Sequence, residues 1–257
     1  MQTPMKTIHY ILLYIGAACA LTSCDSGDIA EKVYTVDEKG YTVRMTAQVR
    51  GISEWDGTDY TLAVAGFTAD SKFAQVQRAV PATLDDDAPL SITLSNLSDD
   101  IATVELALTN SLRKRIITLA TINMSDYRDY GTHDTIRLDL GTIDVGQTGV
   151  LQMGVFDRAC IQCHGANGRS AAGLTLTKGN AYAALVDVPS TRREGYMRVE
   201  SGNAEASLLH LILREGGEDL LSHNHTEILS SQFKSNLEEV SAFIDQWIRH
   251  LKPQPQE

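Results

Sequence analysis

From Val33 to about Thr148, apolar and polar residues alternate with period two. The clearest runs are Tyr41 to Val49, Tyr60 to Val64, Leu90 to Leu94, Ala102 to Leu108, Arg115 to Leu119 and Thr135 to Asp139. Thr, Val, Ile and Tyr dominate them, as half-buried strands prefer. Turn-forming clusters separate them, among them Asp37 to Gly40, Asp56-Gly57, Asp85 to Pro89 and Tyr130-Gly131. Roughly seven or eight short strands at this spacing predict an N-terminal antiparallel β-sandwich over residues 33–148. Its likeness to immunoglobulin-like domains is architectural and carries no function.

After a joint rich in Gly and Thr (Gly141 to Gly149), the period becomes helical. Leu237, Val240, Phe243, Ile244, Trp247, Ile248 and Leu251 form one apolar stripe, stopped by Pro253 and Pro255. Asn203 is placed to cap a helix reaching Arg214, and Asn180 one reaching Leu185. The predicted domains are thus 33–148 and 149–257, each with its own core.

The start of the chain bears on compartment. Lys6 precedes a mostly apolar run, Ile8 to Ala20, interrupted by His9. That run is too short for a permanent membrane span but suits a secretory signal. It ends at Leu21-Thr-Ser-Cys24, which resembles a bacterial lipobox. The resemblance implies a lipoprotein signal peptide over 1–23, lipidation at Cys24 and a flexible tether over 24–32. A plain signal peptide with a chance cysteine, or a buried helix, is the alternative. Of the four cysteines, Cys19 leaves with the signal and Cys24 takes the lipid, leaving Cys160 and Cys163, too few for a disulfide framework. The net charge of -11 argues against nucleic acid and against electrostatic adhesion to anionic lipid, so a lipid at Cys24 would hold the protein to the membrane.

The strand region offers little chemistry. His133 beside Asp134 reads as a solvated loop histidine, Asp85-Asp86-Asp87 as a solvated turn rather than a Ca²⁺ loop, and Trp55 as a packing residue.

Cys160-Ile-Gln-Cys163-His164 is the attachment pattern of c-type haem. Two thiols must add to two vinyl groups on one porphyrin edge, and a three-residue step on a helical turn puts both sulfurs on one face. His164 follows as proximal iron ligand, its other ring N–H held by a backbone carbonyl. A zinc half-site and a thioredoxin-like redox pair compete. Zinc wants further ligands at finger-like spacing and no further cysteine exists, while a redox pair wants a βαβ context. Export, read independently at the N-terminus, agrees with haem attachment.

Residues 150–251 resemble a cytochrome c-like haem-binding domain of membrane-associated bacterial proteins. The matching stretches are Phe156 to Gly165, Gly173 to Leu176, Ala181 to Val188, Arg198-Val199 with Gly202-Asn203 and Ser207 to Leu209, and Ile244 to Ile248. The lipoprotein start with a sandwich is similar to Bacteroidetes export style. The resemblance implies a multidomain chain in which the sandwich is followed by a small all-α domain. Its first helix, Val150 to Arg158, would cross the last, Leu237 to Leu251. Arg198 would meet a haem propionate, with a merely solvated arginine as the alternative.

On the distal side the chain departs from the family, which usually places a Met shortly before the final helix. No Met follows Met197, and the matching segment, Leu220 to Leu229, holds His223 and His225. His225 lies closer to the family's spacing ahead of Trp247, so the resemblance implies His225 as sixth ligand, with His223 second. His210 is a weaker rival, Met197 requires a different fold of the middle segment, and a five-coordinate iron remains the bland alternative.

The expected function is electron transfer by a membrane-anchored lipoprotein with one covalent haem c, in the periplasm or on the outer surface, serving a redox partner protein. A peroxidase-type haem enzyme with an open distal site, and a surface binding lipoprotein whose haem is secondary, are the alternatives.

Overall fold

Alternation drives the strands. In β1 (Tyr41–Arg50), Val43, Met45, Ala47 and Val49 are buried while Gln48 and Arg50 face solvent. The computed structural model describes residues 40–129, 134–166, 168, 170–214, 217, 220–233 and 236–253. The expected signal peptide, Cys24, the expected tether and His133 therefore lie outside the described residues. The remaining strands are β2 (Tyr60–Thr68), β3 (Val76–Ala79), β4 (Pro89–Leu97), β5 (Ile101–Asn110), β6 (Arg115–Asn123) and β7 (Thr135–Asp144). They form a three-stranded sheet, β4-β1-β7, and a four-stranded sheet, β3-β2-β5-β6. The short, polar β3 carries no clear alternation and escapes the pattern.

One pairing departs from the antiparallel expectation. β1 and β7 run parallel, with Met45 opposite Leu138. Period two reports burial but not direction, and these two strands stand at opposite ends of the strand region, so no hairpin constrains them.

The expectation of a separate small all-α domain is overturned. The helical elements are α1 (Gln147–Leu151), a π-helical segment (Gln152–Cys160), α2 (Ile161–His164), α3 (Ala181–Leu185), α4 (Leu208–Ile212), α5 (His225–Phe233) and α6 (Leu237–His250). Most are one or two turns long, with irregular chain between them, and such helices cannot stand without tertiary support. Part of the support comes from the sheets, where β6 meets the π-helical segment and α6, and the rest from the helices packing on one another. Residues Glu38–Glu257 form one compact unit, and one continuous apolar cluster runs from Val43 and Leu106 to Phe243 and Trp247, in place of the two cores expected. The helix expected from Asn203 to Arg214 contracts to α4, with Ser207 as its cap residue. Asn203 instead accepts a 3.3 Å bond from the Ala206 amide in a turn.

The junction is specific. The Trp55 indole donates to Val145 O at 2.6 Å and its ring stacks on Phe243 of α6 at 6.0 Å. Tyr60 meets the same Phe243 edge-on at 5.6 Å. Glu54 accepts from the Gln147 amide at 2.8 Å, at the start of α1. Gly51, at φ 75°, lets the chain pass so close to Gly146 that a side chain would meet the Gly146 backbone at 2.7 Å. Gly154, in the π-helical segment, lies against Ile117 of β6, and Arg158 donates to Thr118 O at 2.6 Å. α1 meets α6 through Trp247 Nε1 donating to Thr148 Oγ1 at 3.0 Å. Asp86 and Asp87 are engaged structurally, by the Gly51 amide at 2.7 Å and by Arg50 at 2.5 Å.

Candidate cofactor-binding site

The Cys160–His164 pattern sits at the end of a helical run that starts at Gln147 and changes from α to π and back to α. Val155, Phe156, Ala159, Cys160, Cys163 and His164 all line one cavity. They recur every four residues. On a regular α-helix that repeat drifts by about 40° per step. The i→i+5 bonding of the π segment, as in Ile161 N–H to Phe156 O, widens the turn and offsets the drift. Both cysteines and His164 therefore stay on the face turned to the cavity.

The cavity has a volume of about 550 Å³. This falls in the ~300–1,000 Å³ range of small-molecule and cofactor sites. Its walls are mainly Leu and Ile, from α4, the 220–229 segment and Ile244 of α6.

His164 is held by a tight turn. Its Nδ1 lies 3.1 Å from Ala171 O, and its own carbonyl accepts the Leu176 amide at 2.7 Å. A carbonyl can only accept, so Nδ1 carries the proton and the Nε2 lone pair stays free. The turn that presents Ala171 O is strained: Ala172 adopts φ 56°, ψ 22°, a left-handed conformation uncommon for a residue with a side chain. Ala172 O in turn accepts from Thr191 Oγ1 at 3.1 Å and from Arg198 Nη2 at 3.3 Å. Arg198 Nη1 donates to Ala184 O at 2.8 Å, which holds the guanidinium at the cavity wall.

His225 approaches from the opposite element. It is the first residue of α5, whose start is capped by Asn224 Oδ1 accepting the Glu227 amide at 2.9 Å. Thr226 Oγ1 ties the same turn to Ile212 O at 3.1 Å. His225 Nδ1 donates to His223 O at 2.9 Å, again leaving Nε2 free. The rings of His164 and His225 lie 19° from parallel with centroids 6.3 Å apart. A metal ion shared by two imidazoles at about 2 Å each, with each ring centre roughly 1 Å behind its nitrogen, would set the centres about 6 Å apart. The observed spacing fits that arrangement.

Burial pushes both imidazoles below their usual 6.5. The Arg198 charge adds to this at His164, and the His164 and His223 charges add at His225, while the carbonyl hydrogen bonds oppose it. The neutral ring is the form that binds metal. Burial also pushes the Cys160 thiol up to about 12. A redox pair needs a stabilised thiolate, so this environment disfavours the thioredoxin-like reading. Cys160 is half-buried and Cys163 exposed, and both are free thiols.

The other sequence candidates sort cleanly. His223 lines the cavity but is exposed, with Nδ1 3.0 Å from Ser222 Oγ, and no ring pairing with His164 accompanies it. His210 points elsewhere: its Nδ1 is 2.7 Å from Asp245, which also pairs with Arg214. Met197 does not line the cavity. Among the described residues no three His, Cys, Asp or Glu side chains converge as a bare-ion site. Sequence reasoning missed α5, although Asn224-His-Thr-Glu227 is a legible capping pattern. It also missed the Ala171–Ala172 turn, which carries no signal, and Arg192, which lines the cavity.

No protein-family model, no curated protein and no solved structure matches this chain.

Proposed function

We propose that this protein is a c-type cytochrome that carries electrons at the cell envelope, with one covalent haem held by Cys160 and Cys163 and ligated by His164 and His225. The observation that carries the reading is the near-parallel His164–His225 pair beside both cysteines, each ring with Nδ1–H on a backbone carbonyl. When bound, haem supplies one-electron exchange between ferric and ferrous iron.

The chain's own part is attachment, ligation and exclusion of water. Cys160 and Cys163 would supply the two thiols that hold the haem through thioether bonds to its vinyl groups. The Ala171 and His223 carbonyls fix the tautomer and rotation of the two imidazoles, which raises their basicity as ligands. The leucine-rich walls would limit contact of the bound group with water. If His164 and His225 both ligated the iron, neither would leave room for a peroxide, which favours a carrier over a peroxidase. Two histidines also imply a lower potential than a His–Met pair. The proposed envelope location rests on the lipobox-like Cys24. No helix among the described residues is long and apolar enough to cross a membrane.

The test is expression with the c-type maturation machinery, followed by in-gel haem staining and a pyridine haemochrome spectrum. Wild type should stain, Cys163→Ala should lose the normal two-thioether spectrum, and His225→Ala should turn the low-spin spectrum high-spin and bind carbon monoxide rapidly. A colourless wild type overturns the cofactor reading. A high-spin wild type overturns the assignment of His225.

A further inference from the structure

The charge of the cavity lining is set against the charge of the chain. The protein carries 33 acidic and 22 basic residues, yet the described residues lining this cavity include no Asp, Glu or Lys. Histidines aside, its charged side chains are Arg192 and Arg198. A largely apolar cavity with two guanidiniums, and with no carboxylate among the described residues of its lining, favours an apolar ligand that bears negative charge.

The two arginines belong to one device. Arg192 stands on a turn closed by Ser190 Oγ, which accepts the Arg192 and Arg193 amides at 3.1 and 3.0 Å. Thr191, next to it, hangs from Ala172 O, the same carbonyl that receives Arg198. The Arg192 turn and the Arg198 guanidinium are thereby pinned to one point of the wall, beside the turn that orients His164. Arg198 spends two of its five N–H groups on backbone carbonyls. The Arg192 guanidinium has no hydrogen bond or ion pair among the described residues, so its fork remains available for a carboxylate.

We propose that Arg192 is a second carboxylate anchor, acting with Arg198 to hold both propionates of the porphyrin and so fix the position of its acidic edge. This rests on the haem reading above. Arg192 is a positioning residue with an electrostatic consequence: a cation at that edge favours the less positive, ferrous state, so its removal lowers the potential.

Two measurements test this. In the haem-loaded protein, spectroelectrochemical titration should show Arg192→Gln shifting the ferric-to-ferrous equilibrium about threefold toward ferric. That is about 28 mV at 59 mV per tenfold for one electron. Arg192→Lys should recover most of the shift, and Arg193→Gln, one residue away and outside the lining, should move it far less. In the full chain carrying Cys160→Ala and Cys163→Ala, haemin should bind more tightly than haemin dimethyl ester, and Arg192→Gln should shrink that preference severalfold. Equal shifts for Arg192→Gln and Arg193→Gln, or an ester preference unaffected by Arg192→Gln, would show a merely solvated arginine and overturn the anchor while leaving the haem reading intact. A wild type without thioether haem, whose cysteine-free variant binds neither porphyrin, would overturn both.

Discussion

Replacing Gly154 with alanine tests whether the motif-bearing helix is truly built against the sheet. Gly154 is buried, and a Cβ placed there would overlap the Cγ2 methyl of Ile117 and lie 3.3 Å from its Cδ1. Ile117 is 2 % exposed, and its Cγ2 is attached directly to Cβ, so it cannot swing aside as the tip of a long side chain would. Overpacking of this kind costs about 1–3 kcal/mol. Alanine regains up to about 1 kcal/mol of helical propensity over glycine, though less in a π-helical segment. The net expectation is a loss of about 1–2 kcal/mol, or roughly 2–8 °C in Tm at this chain length. Ile117→Ala on its own leaves a cavity and costs about 2–5 kcal/mol. The double variant should be more stable than the sum of the two losses, because the new methyl enters the vacated space. Thermal and urea unfolding of the full chain, followed by circular dichroism, would give all three values. If Gly154→Ala is as stable as wild type, or the two losses add, the helix does not pack on β6 and the single-core architecture is wrong.

Asn224→Ala removes the cap on α5 and should cost about 0.5–2 kcal/mol in urea unfolding, with a larger high-spin fraction in the loaded protein because His225 opens that helix; a spectrum and midpoint identical to wild type would contradict the capping role. In the haem-free protein, iodoacetamide at pH 8 should alkylate exposed Cys163 well before Cys160, whose thiol is pushed up to about 12, and mass spectrometry showing equal labelling would revive the redox-pair reading. Both site histidines have folded pKa values below the ordinary 6.5, so the unfolded chain binds more protons just below that pH. The haem-free protein should therefore lose stability as pH falls from 6.5 through the folded values, and His225→Asn should flatten this slope; parallel Tm profiles for the two proteins would count against it.

Much of this protein is local enough to be written in its residues. Alternation in Tyr41 to Val49 specifies a half-buried strand whatever its neighbours, and the stripe from Leu237 to Leu251 specifies a helix with one apolar face. The Cys160–His164 spacing puts two thiols and an imidazole within little more than one helical turn, so the groups proposed for haem attachment are legible without any fold. Three things needed the tertiary structure. The direction of β7 beside β1 depends on a long-range pairing that period two cannot encode. The partner of the α6 stripe depends on Trp55 and Tyr60 reaching Phe243, because an apolar face states that it will be covered but not by what. The choice between His223 and His225 depends on two residues of chain, a capped helix start and a carbonyl at 2.9 Å, which together turn His225 toward His164 and leave His223 exposed. Local sequence thus determined which residues can do chemistry, whereas the packing of helical segments around one cavity decided which of them meet, since contact between segments about 60 residues apart is a property of the packed fold and not of either segment.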